Sequence, residues 1–185
     1  MGQDHTAGAL RERVEVLELA AVEGGWEWHR VRETWASIEL SDRTNLFAKT
    51  GVGARDAALV LRRQALTLHH ALRWRGQHMF LTSLAETRRG WLDGKAALVE
   101  AETVRLKPED GGVAFPAVVT EKYIRHDQEW PMSVNELCLV LVVPKPVVLR
   151  PGRLVEVREA DWEVLVPHEL DPYKNEYEIG RRMEL

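Results

Sequence analysis

Residues Ala57 to Leu84 read AALVLRRQALTLHHALRWRGQHMFLTSL, and the fold class turns on how this stretch folds. Leu66, Leu68, Leu72 and Trp74 fall on one parity and Ala65, Thr67, Ala71 and Arg73 on the other, the period-2 alternation of an extended strand. Arg75-Gly76 then reverses the chain, because glycine at the second turn position supplies the positive φ that a two-residue hairpin turn demands. Phe80, Leu81, Thr82 and Leu84 resume a β-compatible run. With the turn so placed, Leu72 faces Met79, Ala71 faces Phe80 and His78 sits across from Arg73. Apolar pairs on both faces place the hairpin inside a closed or two-layered β structure, since a sheet with one wet face alternates apolar with polar. Its core is expected to be Leu72, Trp74, Gly76, Met79, Phe80 and Leu81. His69 and His70, adjacent on the same strand pattern, point to opposite faces and do not hold a metal together.

Working outward, Leu10 to Leu19 alternates Val14 and Val16 with charges and reads as a first strand; Glu23-Gly24-Gly25 turns, and Trp26 to Leu40 reads as a second. Ser41 to Arg55 differs in kind. Ser41-Asp42 caps an expected short helix, Leu46-Phe47-Ala48 is its apolar patch, and Gly51 and Gly53 make the connection flexible. Such a length is unusual for a connector in a compact β domain, and loops of this kind are commonly functional. Beyond the hairpin, Trp91 to Leu106 provides one or two further strands, and the breaker-rich Lys107-Pro-Glu-Asp-Gly-Gly112 marks a boundary. The expectation is a mostly β chain: a small β-barrel over 1–106 with a long loop or short helix between strands, then a second β-rich unit over 107–185.

In the second unit, strands are expected at Val118 to Ile124, Leu137 to Val143, Val147 to Leu149, Arg153 to Arg158 and Trp162 to Val166, with a turn at Glu159-Ala160-Asp161. A shift of 84 positions lays Arg75-Gly76 over Glu159-Ala160, which leaves two readings open: a duplicated barrel, or a separate β-rich domain or extension, since identity is poor and any two hairpins look alike.

Composition narrows the function classes. The chain has 185 residues, of which 45% are apolar and 29% charged, the balance of a soluble protein with a real core. No run approaches the ~20 apolar residues that span a bilayer, and the opening MGQDHTAGAL has neither the basic nor the apolar region of a secretory signal. One cysteine, Cys138, excludes an internal disulfide and fits a reducing cytoplasm. Residues 1–100 hold 14 basic against 13 acidic side chains and residues 101–185 hold 11 against 16, so neither half is a strongly basic nucleic-acid binder.

Reactive chemistry has no signature here. There is no HExxH, CxxC or GxSxG, and Gly51-Val52-Gly53 is neither a dinucleotide fingerprint nor a Walker sequence. No catalytic residue, metal or cofactor is expected. Arg62-Arg63, Arg73, Arg75 and Arg88-Arg89 beside Trp74 leave one binding alternative, an oligonucleotide-binding β-barrel, while the nearly equal acidic count favours a solvated rim or a protein interface.

The order Leu10-Arg11-Glu12-Arg13-Val14, Glu33-Thr34-Trp35-Ala36-Ser37-Ile38, Phe47 in a loop, Leu61-Arg62-Arg63, and Trp74-Arg75-Gly76-Gln77-His78-Met79-Phe80-Leu81 resembles the phage head-tail adaptor family, also called head-closure or stopper proteins. The match covers about residues 10–100. The resemblance implies a structural virion protein of a tailed phage or prophage: a small β-barrel that assembles as a homo-oligomeric ring at the neck. There it closes the DNA-filled head and provides the tail attachment surface. Its implied partners are copies of itself, a portal or adaptor protein, a tail terminator or tail tube protein, and genomic DNA passing through without sequence-specific binding, with no membrane. Its implied place is the virion neck, after assembly in the host cytoplasm. The Ser41–Arg55 loop, through Leu46, Phe47, Lys49 and Arg55, is the candidate to reach the channel or a neighbouring ring.

Overall fold

The computed structural model describes residues 8, 10–44, 54–87, 90–121 and 138–181. The protein is mostly β, with twelve strands and no α-helix among the described residues. Two compact units divide the chain: Met1–Val22 with Glu27–Ala101, and Glu23–Trp26 with Glu102–Leu185. The first contains β1 (Glu12–Val22), β2 (Gly25–Thr44, except its first two residues), β3 (Arg55–Arg62), β4 (Ala71–Trp74), β5 (Gln77–Thr87) and β6 (Trp91–Val99). The second contains β7 (Glu102–Leu106), β8 (Ala114–Glu121), β9 (Cys138–Pro144), β10 (Leu154–Val157), β11 (Ala160–His168) and β12 (Lys174–Arg181).

In the first unit the strands hydrogen-bond in the order β1-β4-β5-β6-β3-β2, and β1 also pairs with β2, so the sheet returns on itself as a six-stranded ring. At its centre is the β4–β5 hairpin, in which Leu72 faces Met79, Ala71 faces Phe80 and Arg73 faces His78. The two turn residues, Arg75 and Gly76, have φ of 50° and 81°, the left-handed pair whose twist matches the flanking strands. Leu72, Trp74, Met79 and Leu81 point into a core shared with Val14, Val16, Leu59 and Leu61, all less than a tenth exposed. Ala71 and Phe80, on the other face, are also buried.

The second unit has the order β8-β7-β10-β11-β12-β9 with β8 also on β9, again a six-stranded ring. Counted from each unit's first strand, both rings run 1-2-3-6-5-4. The correspondence reaches single residues. The β5–β6 ladder slips between Leu81 and Ser83, and the β11–β12 ladder slips between Val164 and Val166, 83 positions later. The β10–β11 turn is Arg158-Glu159, with φ of 51° and 64°, also 83 positions after Arg75-Gly76. The expected shift of 84 and the turn at Glu159-Ala160-Asp161 are therefore corrected by one residue, since Ala160 and Asp161 already pair with Val157 and Glu156. One residue matters because a single slip exchanges the two faces of a strand.

Four other expectations change. The boundary falls after Ala101, not after 106, because Glu102–Leu106 pairs with β8 and β10. The breaker-rich segment is a hairpin loop: Gly111 and Gly112 have positive φ, and the Asp110 carboxylate accepts Leu154 N at 2.8 Å and pairs with Arg153. Ser41–Thr44 continues β2, where Thr44 pairs with Arg55, so ladder formation overrides the expected helix cap. Residues 63–70 are irregular, closed by His70 N to Thr67 O (3.1 Å) and Thr67 Oγ1 with His70 Nδ1 (2.9 Å), so the histidines lie in a turn and the strand alternation holds only over Ala71–Trp74.

Val147–Leu149 is likewise no strand, although Val147 and Leu149 are buried. Pro144 and Pro146 remove ladder donors, and side chains of β12 take the ladder's place: Asn175 Nδ2 donates to Val147 O at 2.9 Å, and Tyr177 OH accepts Leu149 N at 3.0 Å. Burial, above all, pushes the Tyr177 phenol up to about 12.

The paired turns make a reciprocal test. A non-glycine residue in the left-handed region costs about 1–2 kcal/mol, offset in part by the greater freedom glycine has when unfolded. Gly76→Glu is expected to destabilise by about 1 kcal/mol and Glu159→Gly to stabilise by a similar amount, read from urea midpoints at unchanged m-value. Shifts of the same sign for both would refute the matched turn geometry.

Candidate functional site

The side chains with chemical potential cluster on the first unit, and most are tied to one another. Trp74 turns its ring inward while its Nε1 donates to Glu12 Oε2 at 2.7 Å. Arg75 Nη2 donates to both Glu12 oxygens, at 3.0 and 3.1 Å, with its guanidinium 4.6 Å from the Trp74 ring centroid. The indole hydrogen bond first, then the Arg75 charge, holds the Glu12 carboxyl below the usual range. The same device recurs in the second unit: Arg158, at the matching turn position, donates to Glu102 at 2.9 and 3.3 Å. In each unit a turn arginine thus grips the glutamate that opens the first strand.

A second set crosses β4, β1 and β2. Arg73 meets Glu15 at 2.5 Å, Glu15 meets Arg30 at 3.7 Å, and Glu33 accepts from Arg30 at 2.7 Å and pairs with Arg13. Arg63 pairs with Glu86 at 3.3 Å. Of the arginines that raised the oligonucleotide alternative, Arg63, Arg73 and Arg75 are neutralised by carboxylates, and Arg88-Arg89 lie outside the described residues. Trp74 is buried and offers no face for a base to stack on.

Arg62 is the exception. It lies 4.2 Å over the Trp91 ring, in a row formed by register: Arg62 pairs with Trp91, and Trp35 stands one step beyond the Ala36–Leu61 pair. Trp91 is buried, Trp35 is 55% exposed, and Leu10, Thr34, Trp35 and Arg62 line a shallow depression of about 340 Å³. Arg55 is exposed at the start of β3. Leu46, Phe47 and Lys49, the other proposed loop residues, lie outside the described residues.

A third cluster had no signal in the sequence. His78 is buried, with its ring 5.4 Å from Trp28 and 5.0 Å from Phe80, and neither His78 Nε2 nor Trp28 Nε1 has a hydrogen-bond partner among the described residues. Burial first, and Arg73 second, pushes the His78 pKa down to about 4. Spacing could not reveal this, because Trp28 comes from β2, fifty positions away along the chain.

Among the described residues no group of three or more His, Cys, Asp or Glu side chains is placed to hold a metal ion, and no helix is long and apolar enough to cross a membrane. Neither a protein-family model, nor a curated protein, nor a solved structure matches the chain.

His78 gives the stability a definite pH dependence. The folded protein keeps the imidazole neutral down to about pH 4, whereas the unfolded chain protonates near 6.5, so the unfolded state binds the extra proton between these values. Stability should therefore fall as pH drops from 6.5 to 4, by about 3 kcal/mol. Denaturant titrations of wild type and His78→Phe across that window check this, and an equally steep decline in both would remove His78 as the cause.

Proposed function

We propose that the chain is a structural protein of a tailed phage or prophage, a ring-forming subunit of the neck that closes the DNA-filled head and presents the surface to which the tail attaches. The supporting observation is that residues 10–100, whose motif order resembles that of head-tail adaptors, lie almost wholly in a six-stranded ring with a long connection between β2 and β3. A ring of strands leaves no open sheet edge, so contacts with other chains fall to outer side chains and loops, as a neck subunit requires.

In this reading the partners are copies of the chain, a portal or adaptor protein on one side and a tail terminator or tail tube protein on the other. The connection bearing Leu46, Phe47, Lys49 and Arg55 turns to the channel or a neighbouring ring. Genomic DNA passes without sequence-specific contact, a role that suits a first unit whose Arg63, Arg73 and Arg75 are paired with glutamates, because a strongly cationic wall would retain the polyanion. The work is docking, not bond making.

Electron microscopy of the purified protein, alone and mixed with portal protein, tests the proposal. Rings coaxial with the portal are expected. A chain that stays monomeric at high concentration and does not bind portal would refute it.

A further inference from the structure

Leu170 is fully exposed, at 101%, the most exposed of the large apolar side chains described. It is also held still. Lys145 Nζ donates at 2.8 Å to the carbonyls on both sides of it, Glu169 O and Asp171 O, and to Asn175 Oδ1 at the same distance. Asp171 Oδ1 accepts Tyr173 N at 2.8 Å, and Tyr177 OH donates to Glu169 Oε1 at 2.9 Å. A leucine kept in water on a loop whose backbone is bound on both sides of it needs little backbone ordering on contact, a condition that favours an apolar anchor.

The first unit carries a receptor of matching chemistry. The depression beside Trp35 has an apolar wall and the guanidinium of Arg62, which stacks on Trp91 and has no carboxylate partner among the described residues. Leu170 is flanked by Glu169 and Asp171. An apolar anchor between two carboxylates thus complements a depression that sets the side chains of Leu10 and Trp35 beside an arginine with no carboxylate partner among the described residues.

We infer that the Glu169-Leu170-Asp171 loop of one copy seats in the Trp35–Arg62 depression of a second copy. Anchor and receptor are different patches of one chain, so the contact is heterologous and head-to-tail, and repetition closes a ring if the rotation allows. This inference rests on the ring proposed above and names the surfaces that join its subunits.

The full-length chain is tested by analytical ultracentrifugation. Leu170→Asp and Trp35→Ser should each weaken association about tenfold or more, while the melting temperature of Leu170→Asp stays unchanged because that side chain touches nothing within its own chain. Mixing Leu170→Cys chains with Thr34→Cys chains, both carrying Cys138→Ser, should give a disulfide-linked heterodimer under mild oxidation. Intact rings of Leu170→Asp, or no crosslink from assembled chains, would overturn the inference and leave the ring standing. A wild-type monomer at all concentrations would overturn both. Salt-dependent binding of a single-stranded oligonucleotide that needs Trp35, with assembly unaffected by Trp35→Ser, would assign the depression to nucleic acid and also overturn the inference.

Discussion

Each unit depends on its first strand having a partner on both sides. β1 lies between β2 and β4, and β7 lies between β8 and β10; without the second pairing each sheet would end in a row of unpaired amides and carbonyls. The partners β4 and β10 are only four residues long, so the ladder that completes the ring is short. A side-chain bond reinforces it in both places. Arg75 reaches Glu12 and Arg158 reaches Glu102, joining the hairpin turn to the start of the first strand.

That the same ring order, ladder slip and turn-to-strand ion pair occur 83 to 90 positions apart makes the two units versions of one design. They are versions and not copies. The first turn uses Gly76 where the second uses Glu159, and the first unit backs its turn arginine with Trp74 where the second has Val157. The second unit also seats an irregular Pro144–Leu149 segment on Asn175 and Tyr177. The two units differ in side chains while sharing a hydrogen-bond framework, in which every strand of the ring is paired on both edges.

The surface differs from the interior in how its charges are used. Glutamates on β1 and β2 pair with Arg13, Arg30, Arg73 and Arg75 of the first unit, Arg62 lies beside an exposed tryptophan with no carboxylate partner among the described residues, and the second unit holds an exposed leucine between two acids. A protein that works by docking needs such features, and a proposal of neck assembly gives them a place.

The hairpin was legible from sequence to the level of single pairs: Leu72 with Met79, Ala71 with Phe80 and Arg73 with His78 all follow from alternation about an Arg-Gly turn. Period and turn chemistry are local properties, and in this hairpin both survive over Ala71–Trp74 and the Arg75-Gly76 turn. What depended on distant partners was not legible. The breaker-rich Lys107–Gly112 is a loop within a unit, while the chain passes between units at Glu100-Ala101 with no breaker, since only the pairing of β7 shows where it belongs. Ser41-Asp42 carries a helix-cap signal that the β2–β3 ladder overrides, and the histidines at 69 and 70 leave the strand because Thr67 closes a turn on His70. The β class, the alternation over Ala71–Trp74 and the hairpin register follow from neighbours along the chain. Ring closure, the unit boundary, the burial of His78 against Trp28 and the clamp on the backbone around Leu170 emerge from long-range pairing, because each joins groups whose separation along the chain no local pattern encodes.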